Sequence, residues 1–452
     1  MVVGPSHHTS RRALLKAAAG GAAAIAVGTH GSTVATAFAQ DDPVEIRWES
    51  RSQTTEFQAI ETAIREDFEP NNPNIKVVIE QAPDQERDEK LLTAMVAGTA
   101  PDLFESWSDN VTQFADRGQV LDVQPLVDRD FTEADISDFV AWQWRDFVLP
   151  SGIRFGVPKY INVMVVWANV DKFEAAGQEL PTADWTHDQY AEAAKAMSTV
   201  AGEPTDVYGL RYPVWSWDRY WYKVESFGGQ VVNPDDRTEC LLGSPEAQAA
   251  LEWSYNLMWT DRALLDPLSI GALTDPSMEQ WAAQRFAMHE DGFYPQRTLE
   301  AVAGGFQFQY SEVPVGPAGR RVLGTTDGFA IYSGSEQPDA AWELAKYLSG
   351  PEFQELQVTT TARLPGRQSV LDRYTELVLA TFPELETANI QAGVTAATGD
   401  YAGTRALFVE DAAARQIIEP ALESLFVSNS NDVSYMAEIA AEVTEDQRER
   451  AG

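Results

Sequence analysis

Apolar and polar positions alternate in short blocks once the chain passes Val44. Val44, Ile46 and Trp48 alternate with polar residues and predict a strand. Phe57, Ile60, Ile64 and Phe68 then recur at helical spacing and stop before Pro70-Asn71-Asn72-Pro73. Ile75, Val77 and Ile79 alternate again. Leu91, Leu92, Met95 and Val96 predict a second helix, closed by Gly98, and Asp102-Leu103-Phe104 enters a third strand. Strand-helix-strand order implies a parallel sheet and a doubly wound α/β lobe, whose ligands gather beyond the C-terminal strand ends. Those ends hold Glu49 to Ser52 and Glu105 to Asn110.

The stretch from Gly156 to Gly177 joins this unit to the next. Ile161 to Trp167 is a continuous apolar run, too short for a helix and bounded by Pro158 and Asn169, so it reads as a strand buried on both faces. An ordinary core strand has this pattern; so does a strand crossing between two lobes, with Lys159, Tyr160 and Asn162 facing a cleft. Beyond it, Thr186 and Gln189 form a capping box for a helix carrying Ala191, Ala194 and Met197. His187 at its first turn is expected on the surface. Ser244-Pro245 starts a further helix, Leu323 to Ile331 returns as a strand around Asp327-Gly328, and Ala340 to Leu348 follows as a helix. From Glu352 the tail is helical by pattern, with breaks near Pro365 and Gly399. No internal repeat is visible.

Charge narrows the partners. Against 33 basic residues stand 69 acidic ones, a formal net charge of −36, so nucleic acid and anionic membrane surfaces are excluded as expected partners. The acids are scattered, as in a solvated shell. An acidic, Lys-poor surface suits a salty habitat, and a GC-rich genome would equally favour Arg. The N-terminus reverses the sign: Ser10-Arg11-Arg12-Ala13-Leu14-Leu15-Lys16 precedes an Ala/Gly-rich run and Ala37-Phe38-Ala39. This resembles a twin-arginine export signal cleaved after Ala39, which places the mature protein in a periplasm or outside the cell. Cys240 is the single cysteine, so neither an intrachain disulfide nor a cysteine metal cluster is expected. A lipid-anchoring Cys after the signal is absent.

Enzyme signatures fail. The sequence has no G-x-S-x-G elbow, G-x-G-x-x-G turn, phosphate loop or H-E-x-x-H pair. His289 beside Glu290 and Asp291 is a conceivable base, but no nucleophile or metal partner accompanies it. What stands out is a set of aromatic and polar residues at loop positions, the densest being Trp215-Ser216-Trp217-Asp218-Arg219-Tyr220-Trp221-Tyr222. Aromatic faces pack on the C–H faces of sugar rings while Asp, Glu, Asn and Arg pair with hydroxyls, a combination suited to a polyol. Core packing explains such a run as well.

The order Ala100-Pro101-Asp102-Leu103, Phe114 to Leu121, Gly156-Val157-Pro158, Trp167-Ala168-Asn169 with Phe173, Ser244 to Ala247, Val313-Pro314 with Gly316-Pro317, and Asp339 to Glu343 resembles the family 1 extracellular solute-binding proteins of ABC importers, the maltose-binding type. The resemblance runs strongly from Val44 to about Val370 and weakly after. It implies a two-lobed periplasmic-binding-protein type II α/β fold that holds a sugar or oligosaccharide in its cleft, performs no chemistry on it and delivers it to membrane permease subunits. The expected division is a signal peptide over 1–39, a first lobe over 40–160, a crossover over 161–167, a second lobe over 168–305, a return to the first lobe over 306–350 and second-lobe helices over 351–452. The implied ligand residues are Glu105, Trp107 and Asp109; Tyr160 and Asn162; Trp215, Trp217 and Tyr220; Phe293 and Tyr294; Asp327 and Gly328; and Arg363 and Tyr401. No catalytic residue, metal or cofactor is expected, and the protein is expected to act as a monomer. A non-sugar solute such as a polyamine or an iron complex, or an exported glycan-active enzyme, are the alternatives.

Overall fold

Period-two alternation puts Ile46, Trp48 and Ser50 on the buried face of strand β1 (Val44–Ser50) in the computed structural model of the chain. The structure describes residues 43–51, 54–81, 87–199, 207–214, 219–269, 276–302, 305–427 and 432–452, so the export signal and Trp215 and Trp217 lie outside the described residues. The helix predicted around Phe57 begins at Thr54 and passes through a π-helical segment, Ile64–Phe68, that buries both of its end residues. Strand β2 (Ile75–Gln81) and strand β3 (Leu103–Trp107) flank β1 in parallel, as strand-helix-strand order requires. Gly98, at φ 71°, takes the left-handed conformation that ends the intervening helix.

Strand β4 (Val157–Asn169) is longer than its apolar centre. The remaining strands are β5 (Tyr208–Arg211), a small hairpin of β6 (Val232–Asn233) and β7 (Asp236–Cys240), then β8 (Phe286–Gly292), β9 (Phe308–Ser311), β10 (Val322–Ile331), β11 (Leu364–Pro365) and β12 (Ala402–Gly403). The main sheet runs β2-β1-β3-β10-β4-β8-β5, with β9 and β11 also on β4 and β12 on β10. β4 serves both ends of it. Its first half pairs with β10 and β11, and its second half, from Met164, pairs with β8 and β9.

Apolar packing falls into three cores, and β4 contributes to two of them, Val157 to one and Ile161 onward to another. One core joins Ile46, Trp48, Ile60, Phe68 and Val157 to Phe329, Ile331, Trp342 and Leu348, and the Trp48 and Phe329 rings meet edge-on at 6.2 Å. A second, larger core gathers apolar residues of 161–173, 190–197, 208–214, 220–265, 286–288 and the C-terminal helices through Val443. Each fully buried large side chain contributes about 1.5–3 kcal/mol, so both cores are substantial. Among the described residues no helix is long and apolar enough to cross a membrane.

The capping box at Thr186 forms: Gln189 N–H donates to Thr186 Oγ1 at 3.3 Å and Thr186 N–H donates to Gln189 Oε1 at 2.9 Å. The surface position expected for His187 is wrong. Its ring lies 5.0 Å from Trp253 and 5.3 Å from Phe227 and is buried, because the helix Pro245–Trp259 covers that turn. Burial, helped by the nearby Lys223 charge, pushes its pKa down to about 2.

Candidate functional site

Three strands bring Trp107, Asp327 and Tyr160 into one row. Asp327 on β10 stands opposite Trp107 on β3 and, across its other edge, opposite Tyr160 on β4. The β10–β4 register shifts between Asp327 and Gly328, a bulge that re-aims the strand at this point. A Cβ on Gly328 would stand 2.1 Å from the Phe147 ring and 2.6 Å from the Val157 carbonyl oxygen. Close packing therefore explains this glycine.

Charges surround the row in alternating sign. The Glu105 carboxylate accepts from the Arg51 backbone N–H at 2.5 Å and from Lys159 Nζ at 2.9 Å, and Lys159 also lies 3.3 Å from Glu56. Arg363 reaches Glu56 at 3.3 Å and covers the Tyr160 ring at 4.5 Å, while Arg51 bonds Asp327 at 2.7 Å and covers Trp107 at 4.2 Å. Burial alone would raise the Glu56 pKa, but the charges of Lys159 and Arg363 outweigh it and hold it at about 2. Lys159 was expected to face a cleft and does not. Two carboxylates enclose it, and it is 1% exposed.

Beside the row is a cavity of about 260 Å³. Its wall is built by the end of β3 with the helix Ser108–Asp116 (Trp107, Ser108, Asp109, Asn110, Thr112), by Asp88 and Asp146, by β10 (Leu323 to Thr326), and by Thr404, Arg405, Leu407 and Arg415. Arg405 crosses from the C-terminal segment to Asp109 at 3.2 Å. Trp107 and Asp109 thus share this cavity, whereas Glu105, Tyr160, Asp327 and Arg363 form the adjoining charged base.

Other candidates sit elsewhere. Tyr220 is fully buried beside Trp221, and Phe293 packs on Tyr310 at 4.8 Å with Gly393 against its ring, so both serve the second core. Asn162 accepts from Phe293 N–H at 3.0 Å and donates to the Tyr294 hydroxyl at 2.9 Å, tying β4 to the segment after β8. Tyr401 donates its hydroxyl to Glu312 and lines a different cavity. Arg51 falls within the strand-end loop Glu49 to Ser52 that the sequence pointed to, although it was not among the expected ligand residues; Asp146, Thr326 and Arg405 were missed and carry no local signal.

The sequence profile of the bacterial extracellular solute-binding proteins matches residues 51–355. The chain belongs to this family. An ABC substrate-binding protein of Listeria monocytogenes, solved in complex with cycloalternan, is similar at TM-score 0.77 and 21% identity, over 91% of this chain and 100% of that one. The sugar-binding protein MalE of Xanthomonas citri matches at TM-score 0.72 and 21% identity, over 90% of this chain and 98% of its own. An uncharacterized lipoprotein of Streptomyces antibioticus is 24% identical over 285 residues, 62% of this chain and 61% of that protein. The two structural likenesses establish the two-lobed α/β fold for this solute-binding protein, and its family places it outside the cytoplasm.

In this solute-binding protein His289 is enclosed in the second core. Its Nε2 lies 2.8 Å from Asp291 and 2.9 Å from Arg211, and Arg219 donates to Asp291 at 2.5 Å. Burial and the Arg211 charge bring His289 down to about 4, and no face of it reaches solvent. Asp291 does orient His289, as its sequence neighbourhood suggested, but within a buried network with Arg211 and Arg219.

Proposed function

We propose that this solute-binding protein captures a sugar or oligosaccharide between its lobes and hands it to the membrane permease of an ABC importer, performing no chemistry on it. The cavity beside Trp107 carries the reading: an indole wall adjoins Asp88, Asp109, Asn110, Thr325, Thr326 and Thr404, the pairing of apolar face and hydroxyl partners that a sugar ring requires. Relatives solved with cycloalternan or described as sugar-binding support it. In this reading the first lobe comprises 40–160 and 306–350, the second 168–305 and 351–452, and 161–167 crosses between them. Glu105, Tyr160, Asp327 and Arg363 form the base of the cleft, and Asn162 and Tyr294 its far rim. The protein acts as a monomer without nucleic acid. Purified protein incubated with a sugar panel should melt at higher temperature with its ligand and release no product, since a ligand that binds the native state alone stabilises it. Turnover without a stable complex would instead identify a glycan-active enzyme.

Export is proposed to use the Arg11-Arg12 signal. Changing both to Lys should leave folded precursor in the cytoplasm, and unchanged export would assign the signal to the general secretory route.

A further inference from the structure

Residues 404–411 are fixed to one apolar core and reach towards another. Phe408 is buried in the second core with its ring edge-on to Trp221 at 6.3 Å, and Arg237 donates to the carbonyl oxygens of Leu407 and Phe408 at 2.8 Å each. Arg405 bonds Asp411 through two nitrogens at 2.8 and 2.7 Å and lies over the Trp221 ring at 5.3 Å. Gln447 accepts from the backbone N–H of Glu410 at 2.8 Å and donates to its carbonyl oxygen at 3.1 Å, tying that residue to the last helix. A two-nitrogen bond to a buried carboxylate fixes the direction of a guanidinium as well as its position. The segment is therefore an arm mounted firmly on the second core.

The arm's far side meets a helix that packs elsewhere. Val111, Phe114 and Ala115 of helix Ser108–Asp116 belong to the third core, with Phe104 and Phe147. Arg405 reaches Asp109 in the first turn of that helix at 3.2 Å, and Glu410 lies 3.5 Å from Arg117, which caps the helix at its other end. Thr404 on the arm donates to Asp146, next to Phe147 of the third core. Between the two ion pairs Asn110 and Thr112 from the helix and Leu407 from the arm line the cavity beside Trp107, so open space separates the two elements there. Interfaces between parts that move are polar, because ion pairs and hydroxyl bonds exchange for water when they part. Here Arg405 keeps Asp411 on parting, and Asp109, whose side chain is already 29% exposed, returns to water.

We propose that this arm is a latch: Arg405 on Asp109, backed by Thr404 on Asp146 and Glu410 on Arg117, draws the second and third cores together across the cavity without any solute. A share of the empty protein is then held closed by the chain's own side chains, and solute completes a closure that the latch has begun. The latch works on the empty cavity, so its failure would leave the proposed function standing.

Distances between two spin labels on the full mature protein, measured with no solute added, test it. Val96→Cys, 74% exposed on a helix of the third core, and Gln416→Cys, exposed on the helix Asp411–Val427 of the second, carry the labels, with the buried native thiol removed by Cys240→Ala. The parent should show a short-distance population beside a longer one. Asp109→Asn should raise the ratio of long to short about fivefold or more, the scale of a typical coupling between two states. Asp109→Glu, which keeps the charge, should bring the ratio back towards the parent. Thr404→Val, which removes the hydroxyl bond to Asp146, should move it in the same direction as Asp109→Asn, and decides the matter if circular dichroism shows that Asp109→Asn does not fold. A parent without the short population, or a ratio that neither variant moves, overturns the latch.

Discussion

Lys159 Nζ and the Glu105 carboxylate stand 2.9 Å apart, each at most 2% exposed, with Glu56 closing the other side of the ammonium at 3.3 Å. This triad joins β4 and β3 to the first helix. Removing the cation would leave two buried carboxylates facing each other, and breaking a buried pair costs about 3–5 kcal/mol. Lys159→Met should accordingly lower the urea midpoint sharply. A loss below ~1 kcal/mol would mean that water reaches the triad.

Trp107 should matter to binding more than to stability, because it is half-buried at a strand end. Trp107→Ala is expected to weaken binding of the ligand found by the panel about tenfold or more, that is about 1.4 kcal/mol. Closure can be driven only by tighter binding to the closed form, so small-angle scattering at fixed ligand should also show less compaction. An unchanged radius of gyration for the wild type at saturation would make β4 an ordinary core strand.

Gly328→Ala tests whether that glycine serves the ligand or the packing. Its Cβ would meet a backbone carbonyl, which cannot rotate away, so stability should fall by about 1–3 kcal/mol or more in thermal denaturation. Native stability with lost binding would restore a ligand role.

The two buried histidines predict a pH dependence. His187 is held at about 2 and His289 at about 4, both below the unfolded value of about 6.5. As pH falls through 6.5 the unfolded chain takes up protons that the native chain refuses, so stability declines from pH 6.5 towards 4, by about 1.4 kcal/mol per unit for each ring. Glu56 adds a loss below pH ~4.5, since its native value is depressed to about 2. Urea titrations between pH 7.5 and 4.5 should show this slope, roughly halved in His187→Gln. A flat profile would place both rings in contact with water.

Elements were legible wherever periodicity was strong. Ile46 and Trp48, the Phe57 to Phe68 spacing and the Ile161 to Trp167 run each gave the correct type, because burial on one or both faces imposes those patterns. β4 came out longer than predicted since Lys159 reads as polar, and only the fold supplies Glu56 and Glu105 to neutralise it. The same reason hid His187, whose neighbours Trp253 and Phe227 are distant in sequence. Of the expected site, Trp107 and Asp109 followed from a strand end. Arg405 and Asp146 could not, as they meet that end from segments roughly 300 and 40 residues away.

The contact between Trp48 and Phe329 also sets a clock. The first residue leaves the ribosome about 280 residues before the second, on the order of 15–60 s at ordinary rates of synthesis. Until then Ile46, Trp48, Ile60 and Phe68 have no partner from the returning strand, and the second core waits in turn for Val443. Nascent chains therefore expose a growing apolar surface until nearly all of the protein has been made, which is the interval in which a holding chaperone would be needed.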